Sequence, residues 1–210
     1  MRKFFDVMCM LLGVAMLCGA GWLLYENYTE DQAAGQGSEV ALEQLRELME
    51  NEPTPAPTPR PEPTEEPELL PPPTLIPEMR TMTIDGHEYI GYLEMPTIGL
   101  TLPVMSDWSY AKLRIAPCRY RGSAYDDSLV IMAHNYDRHF GRISSLEAGA
   151  PVQFIDADGN IYRYKVVGQE ELQRTDYRDM IAEEWGMTLF TCTYGGATRV
   201  TVRLERVVSF

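Results

Sequence analysis

The sequence predicts a mostly β domain that closes into a barrel, preceded by a membrane-spanning helix and a proline-rich spacer. The C-terminal part contains many short runs of β-branched and aromatic residues separated by Gly, Asn and Asp turn signals. Helical patterns are sparse there, and many short strands with few helices are typical of a closed barrel. The N-terminus, by contrast, opens with an apolar stretch long enough to cross a membrane.

Residues 1–25 are predicted to be a cytoplasmic N-terminus and a transmembrane anchor. Residues 4–25 are apolar except for one aspartate, and this length of helix rises about 33 Å, enough to cross the bilayer core. The preceding Arg2-Lys3 pair predicts a cytoplasmic N-terminus, a single pass and an extracellular domain. A cleaved signal peptide is the alternative, because a Cys-Gly-Ala segment near position 19 supplies small residues for a cut. The apolar stretch continues beyond that point, which favours a retained anchor.

Residues 26–78 are predicted to be an acidic, proline-rich extracellular linker. Ser38 to Glu50 has apolar spacing for an amphipathic helix capped by Ser38. We expect that helix to be solvated and partly formed, because so short a helix is marginal alone. Residues 52–77 contain eleven prolines in 26 residues. This composition predicts a disordered, extended stalk that reaches roughly 80 Å.

Residues 79–210 suit one compact domain with a real core. They hold 14 basic and 17 acidic residues, whereas residues 1–78 hold 4 basic and 14 acidic residues, so most of the net charge of −13 lies outside the domain. No basic face is indicated, which argues against nucleic acid as a partner.

The domain contains seven strand-like runs and three short helical ones. The strands are predicted at Tyr89–Met95, Leu100–Val104, Ser128–Ala133, Pro151–Ile155, Ile161–Val167, Met187–Cys192 and Arg199–Val207. The helices are predicted at Trp108–Leu113, Ile143–Leu146 and Tyr177–Trp185, the last with Asp176 as a possible cap. Gly195-Gly196 marks a hairpin tip. Residues 156–160 are similar to the start of a calcium loop, but the glycine is misplaced, so we expect a β-turn and no metal.

Two residues far apart in sequence end short apolar strands. His134 follows one of these runs and Cys192 ends another, while Arg199 opens the strand after the Gly-Gly turn. A thiolate can attack a carbonyl, an imidazole can carry the proton, and a guanidinium can stabilise the oxyanion. This set therefore predicts a cysteine acyl-transfer site without a metal or an organic cofactor.

Each member of this set has an alternative. A lone cysteine in an apolar strand is most often an inert core residue. His139 rivals His134 as the general acid, and Arg203 rivals Arg199 because both lie on the same strand face. Cys118, the other cysteine of the domain, is expected to be a buried free thiol or a second redox-sensitive thiol near the groove.

The Thr188-Leu189-Phe190-Thr191-Cys192 run is followed by Arg199. This pattern resembles the TLxTC…R signature of the sortases, the surface transpeptidases of Gram-positive bacteria. The segments Tyr89 to Val104, Ala133 to Asn135 and Phe140 to Val152 resemble, in the family's order, its opening strands, its catalytic-histidine segment and the stretch after it. The resemblance implies an eight-stranded β-barrel with an active-site groove on one face.

The resemblance also implies a reaction. The thiolate of Cys192 would attack the threonine carbonyl of an LPxTG-like signal near the C-terminus of a secreted protein. His134 would protonate the departing glycine amine, and Arg199 would hold the oxyanion. An amine, from a peptidoglycan precursor or a pilin lysine, would then resolve the thioester.

Some features depart from the family pattern or leave alternatives open. The Asp-Pro-aromatic lid motif of pilin-polymerising sortases does not occur before Tyr89, which favours wall anchoring. The His134-Asn135 pair resembles class B members, but no long helical insertion follows, so the class stays unassigned.

An L,D-transpeptidase would place His-Gly-Cys within a few residues, whereas His134 and Cys192 lie 58 positions apart. A non-catalytic surface adhesion domain would make the three residues accidental neighbours.

Overall fold

The computed structural model describes residues 2–51, 78–182 and 184–207. The α-helices are α1 (Arg2–Asn51), α2 (Tyr110–Leu113) and α3 (Tyr177–Met180). The strands are β1 (Met82–Ile84), β2 (His87–Met95), β3 (Leu100–Met105), β4 (Cys118–Arg121), β5 (Leu129–Met132), β6 (Pro151–Asp156), β7 (Ile161–Gln173), β8 (Met187–Cys192) and β9 (Thr198–Arg206). Two 3-10 turns, Pro96–Ile98 and Ile143–Ser145, complete the described elements.

Eight of these strands form a closed barrel, as the sequence predicts. The order β2-β3-β4-β5-β8-β9-β7-β6 returns to β2 through a β2–β6 pairing, and β1 adds to the start of β2 as a hairpin. Two pairings, β3–β4 and β5–β8, are parallel, and the others are antiparallel. The largest apolar cluster draws on residues from around this barrel and includes Leu93, Phe154 and Leu189.

Barrel closure depends on a close approach at Gly91. The register of β2 shifts between Tyr89 and Gly91, at the point where β2 begins to pair with β6. A Cβ atom at Gly91 would lie 2.0 Å from the carbonyl oxygen of Ile155, and the residue has a φ of +144°. Only glycine accepts both the contact and this backbone conformation.

The strands that the sequence analysis did not predict are β1 and β4. The first has only three residues, and the second reads Cys-Arg-Tyr-Arg, which lacks an apolar run. The strand β7 continues six residues beyond the predicted end at Val167, past a register shift between Val166 and Gly168. The predicted turn between β6 and β7 is present: the buried carboxylate of Asp156 accepts hydrogen bonds from the amides of Asp158 and Asn160 and from the Tyr162 hydroxyl.

The N-terminal helix differs from the expectation. A single helix runs from Arg2 to Asn51, so the prediction of a short, solvated helix capped by Ser38 is wrong. Ser38 lies inside the helix, where its hydroxyl donates to the carbonyl of Ile115 at 2.7 Å and lies 3.0 Å from Nε2 of His139. The helix is long and apolar enough at its N-terminal end to cross a membrane. The proline-rich stalk expected at 52–77 lies outside the described residues.

The C-terminal half of α1 packs against the barrel. Ala34, Ser38, Ala41 and Leu45 are buried at helical spacing and lie on one face of the helix. Leu45 joins a cluster with Met82, Tyr89, Met105 and Cys118, and full burial of a leucine contributes about 1.5–3 kcal/mol. Tertiary packing therefore stabilises this half of the helix.

Polar contacts tie the same face of α1 to the barrel. The Tyr136 hydroxyl donates to Glu30 at 3.1 Å, and the Arg138 amide donates to Asp31 at 3.1 Å. The Arg138 side chain pairs with Glu39 at 3.1 Å. Further along the helix, Arg46 pairs with Glu94 at 3.0 Å and lies over the ring of Tyr92. These contacts place α1 along the loop that follows β5 and, at Arg46, against β2.

Gly35 and Gly37 form a matched pair for testing this docking. A Cβ at Gly35 would lie 2.0 Å from Cδ of Arg138, whereas a Cβ at Gly37 would meet Cγ2 of Ile115 at an ordinary 3.8 Å. Gly37→Ala should favour the helix by about 0.5–1 kcal/mol. Gly35→Ala should weaken docking despite the same propensity gain, because Arg138 must move away from Glu39. Hydrogen exchange of the amides between residues 34 and 45 measures the difference, and equal protection in the two variants would contradict the packing described.

Candidate active site

The topology brings His134 beside Cys192. The strands β5 and β8 run parallel with Met132 opposite Phe190, so continuing this register by two residues sets His134 level with Cys192. The Ala133 amide donates to the Phe190 carbonyl at 3.3 Å, and the Thr191 hydroxyl donates to the Ala133 carbonyl at 2.9 Å. Neighbouring strands lie about 4.8 Å apart. The residues before His134 and Cys192 are thus fixed to each other.

Arg199 lies directly across the β8–β9 hairpin from Cys192. The two residues form the last pair of that antiparallel ladder, beyond which Gly195-Gly196 makes the predicted turn. Directly opposite residues have Cβ atoms about 4.5–5.5 Å apart. Nη1 of Arg199 donates to two carbonyl oxygens, that of Gly196 at 3.1 Å and that of the preceding residue, Thr198, at 2.9 Å. Among the described residues, its Nε and Nη2 have no hydrogen-bond partner, so both can donate to a substrate oxygen.

All three side chains line one cleft of about 200 Å³, here called the aromatic cleft. Five aromatic residues shape its walls together with smaller apolar ones: Trp108, Tyr110, Tyr120, Tyr177 and Phe190. Tyr120 contacts Phe190 edge-to-face at 5.3 Å, and Trp108 lies 5.8 Å from Tyr120. The basic side chains at this cleft are Arg174 and Arg199, and no described acidic residue lines it.

His134 is half-buried, and its surroundings act on its pKa in opposite directions. Burial lowers the pKa of the imidazole below its ordinary value, and the positive charge of Arg114 lowers it further. The carboxylate of Glu30, on α1, raises it in part. The ring lies 4.8 Å from that of Tyr136, whose hydroxyl binds Glu30. The helix α1 therefore takes part in the electrostatics of the site.

His139, the rival of His134, lies away from the cleft. Its side chain is fully buried and contacts Ser38 of α1 through Nε2. Burial lowers the pKa of His139 to about 4, so it is neutral near pH 7. An imidazole buried under the helix, away from the cleft, is poorly placed to donate a proton at Cys192.

Arg203, the rival of Arg199, is a buried structural residue. Its Nε pairs with Glu170 at 2.6 Å, and its Nη1 donates to the Thr188 hydroxyl at 2.9 Å. Its two terminal nitrogens also donate to the carbonyl oxygens of Asp179 and Met180. The guanidinium thus fixes α3 against the sheet and uses four of its five N–H donors.

Cys118 is a buried free thiol, and it lies in the apolar cluster beneath α1 rather than in the groove. Burial raises the pKa of its thiol to about 12, which suppresses the reactive thiolate. Of the two alternatives for Cys118, the structure supports the inert one. Cys192 is half-buried and free.

Sequence reasoning missed the walls of the aromatic cleft and the contribution of α1. The exposed aromatic pair Trp108 and Tyr110 was a usable signal, because binding sites are lined by aromatic side chains. Ahead of Leu45, the residues that pack α1 on the barrel are small or polar and carry little hydropathy, so they gave no comparable signal.

Comparisons with known proteins agree with this fold. The family model of the sortase domain matches residues 93–207, which is more than half of the chain. No curated protein sequence matches the chain significantly.

Several solved structures are similar to this chain. Sortase C1 from Streptococcus agalactiae is 27% identical with a TM-score of 0.52, covering 61% of this chain and 72% of that one. Sortase C1 from Streptococcus suis is 25% identical with a TM-score of 0.52, covering 59% and 75% respectively. Sortase A from Corynebacterium diphtheriae is 21% identical and shares the fold, with a TM-score of 0.52 over 59% of this chain and 63% of that one.

Proposed function

The chain belongs to the sortase family, and from that premise we propose that it cleaves an LPxTG-like sorting signal in secreted proteins and transfers the acyl product to an amine. The enzyme is a sortase-type transpeptidase. The finer assignment rests on one observation above all: Cys192, His134 and Arg199 line a single cleft, although they come from three different strand ends.

The first half of the proposed reaction forms a thioester. The Cys192 thiolate attacks the threonine carbonyl carbon, and the negative charge moves to the carbonyl oxygen. Nε and Nη2 of Arg199, together with a backbone N–H near Cys192, hold this oxyanion. As the C–N bond breaks, His134 as imidazolium gives its proton to the departing glycine amine.

The second half releases the enzyme. The acceptor amine attacks the thioester carbonyl, its proton passes to His134, and the C–S bond breaks to return the Cys192 thiolate. The acceptor is an amine of the cell wall, such as a peptidoglycan precursor, or a pilin lysine. No other reactant is needed, because the energy of the cleaved peptide bond is kept in the thioester.

The placement we propose is a single-pass membrane protein with a cytoplasmic N-terminus and an extracellular catalytic domain. The apolar start of α1 and the Arg2-Lys3 pair support this orientation. In this position the enzyme meets secreted substrates at the outer face of the membrane. The chain lacks the clustered His-Gly-Cys motif of L,D-transpeptidases, and three convergent reactive groups argue against a passive adhesion domain.

The direct test is an assay of the purified full-length protein in detergent with an LPxTG peptide and triglycine amide. We expect cleavage after threonine and a ligated product detected by mass spectrometry. Absence of both cleavage and transfer across a panel of related sorting motifs would contradict the proposal.

Two charged residues near His134 act on its pKa in opposite directions, so removing each charge should shift that pKa in opposite directions. Arg114→Gln removes a positive charge that lowers the pKa of His134, so this pKa should rise. Glu30→Gln removes a negative charge that raises it, so the pKa should fall, while the amide oxygen can still accept from Tyr136. A higher pKa keeps the imidazolium acid available to higher pH, and a lower one restricts it to lower pH.

A histidine proton titration by NMR and the pH profile of kcat/KM measure these shifts. Glu147→Gln is the matched control, because Glu147 is an exposed acid outside the cleft. Shifts of the same sign in the two variants would show that neither charge acts on His134 as described.

A further inference from the structure

Cys192 lies between two clefts, and the second one differs in character from the aromatic cleft. This second space, of about 180 Å³, is lined by Cys192 itself and by polar residues that include Asn135, Asp137 and Thr193. A transpeptidase must bring two substrates to one sulfur atom. The two faces of Cys192 therefore offer separate entries for the acyl donor and the acceptor.

The second cleft adjoins a third, of about 190 Å³, because both are lined by Asn135, Asp137 and Tyr194. The other wall of the third cleft is α1, through Leu24, Tyr28 and Asp31 among others. Together these two spaces, here called the polar cleft, form a path from the membrane-proximal end of the docked helix to the nucleophile.

The charges on the two sides of Cys192 are opposite. The polar cleft carries Asp31 and Asp137, and none of its described lining residues is Lys or Arg. The aromatic cleft carries Arg174 and Arg199 and no described acid. An acceptor amine arrives as a cation, which the acidic side attracts and the basic side repels.

We propose that the polar cleft binds the primary ammonium group of the acceptor, with Asp137 on the barrel and Asp31 on the anchor helix as its carboxylate partners. This inference rests on the proposed function and adds the second substrate site to it. The anchor helix is then part of the active site as well as its tether. The donor peptide occupies the aromatic cleft, so the amine reaches the thioester carbonyl from the opposite side. The bound ammonium first gives one proton to solvent water, and the neutral amine then attacks the acyl carbon. Its second proton passes to His134 as the C–S bond breaks and returns the Cys192 thiolate.

The test separates the two half-reactions in the full-length protein. Thioester formation and hydrolysis are followed with the LPxTG peptide alone. Transfer is followed with three nucleophiles: triglycine amide, which presents a peptide amine, Nα-acetyl-lysine amide, which presents a side-chain amine, and hydroxylamine, which is small and largely uncharged at neutral pH. The better of the two ammonium acceptors indicates whether a wall peptide or a protein lysine is the source.

Asp137→Asn and Asp31→Asn should each raise KM for the preferred ammonium acceptor about threefold to fivefold, as expected for one partly exposed charge contact. Thioester formation and transfer to hydroxylamine should stay within about twofold. The asparagine at position 31 keeps an oxygen for the Arg138 amide, and Glu147→Gln, which removes an exposed acid outside both clefts, should change nothing.

Three outcomes would overturn the inference. Unchanged KM for both ammonium acceptors would place acceptor binding elsewhere. An equal loss with hydroxylamine would show that the two carboxylates do not act on the charge of the amine. A parallel loss of thioester formation would assign them to the first step. Absence of a thioester in the unmodified protein is a different result, because it would contradict the proposed function itself.

Discussion

Replacing Cys192 by alanine is expected to abolish both cleavage and transfer of a sorting-signal peptide, a loss on the order of 10⁴-fold or more. The physical reason is that no other group at the cleft can form the thioester. The fold should survive, because removing one half-buried sulfur costs about 1–3 kcal/mol. Circular dichroism and peptide turnover, measured on the same preparation, check the two halves of this expectation.

His134→Ala should lose comparable activity, and His139→Ala supplies the contrast. His139 is buried against Ser38, so its loss should lower the thermal midpoint while the folded fraction still turns over peptide. If His139→Ala is the more damaging change to turnover of folded enzyme, the general acid has been assigned to the wrong residue.

Arg199→Lys is expected to lower turnover about a hundredfold to a thousandfold, the typical cost of one lost oxyanion donor. Lysine keeps the positive charge but loses the planar set of N–H donors of the guanidinium. In Arg199 one of these nitrogens, Nη1, already donates to the carbonyl oxygens of Gly196 and Thr198. Because the interaction strengthens in the transition state, kcat should fall more than KM rises. Steady-state kinetics with the donor peptide measure this division.

Arg203→Lys is the matched control on the same strand. Sequence reasoning alone expects this change to be mild, but the buried guanidinium bonds Glu170, Thr188 and two carbonyls of the α3 region. We therefore expect a loss of about 1–3 kcal/mol of stability, with near-normal turnover by folded enzyme. If turnover rather than stability falls in Arg203→Lys, and Arg199→Lys is mild, the two arginines have been given each other's roles.

Local patterns predicted the strands and one half of the site. The strand β8 and the start of β9 follow from apolar runs, and the Gly195-Gly196 turn fixes their pairing, so Cys192 opposite Arg199 is a local consequence of the sequence. The strands β1 and β4 were not predicted, because β1 is very short and every second residue of β4 is an arginine. Periodicity detects a strand only where one face is clearly apolar.

The other half of the site depends on strand order, which spacing does not reveal. His134 reaches Cys192 only because β5 pairs in parallel with β8 across 58 positions of sequence. The resemblance to the family predicted that His134 and Cys192 share one site. Likewise, the choice between Arg199 and Arg203 required the hydrogen bonds of each, because both side chains share a strand face.

The docking of α1 was hidden by its composition. Ahead of Leu45, the face that packs on the barrel contains Ala34, Gly35, Ser38 and Ala41, which give no strong amphipathic pattern. Glycines in this stretch suggest a weak helix, whereas one of them, Gly35, permits the close approach of Arg138. Small residues are favourable here because they let two surfaces meet, a property that appears only once the partner surface is known.

The proposed mechanism requires a covalent acyl intermediate on Cys192. The most direct measurement is mass spectrometry of the full-length protein quenched in acid during turnover of an LPxTG peptide, followed by mapping of the modified fragment. The mechanism predicts an added mass equal to the donor up to its threonine acyl group, carried by the fragment that contains Cys192 and removed by hydroxylamine. An adduct on Cys118 or on another residue, or steady cleavage of the peptide with no adduct at any time, would contradict it.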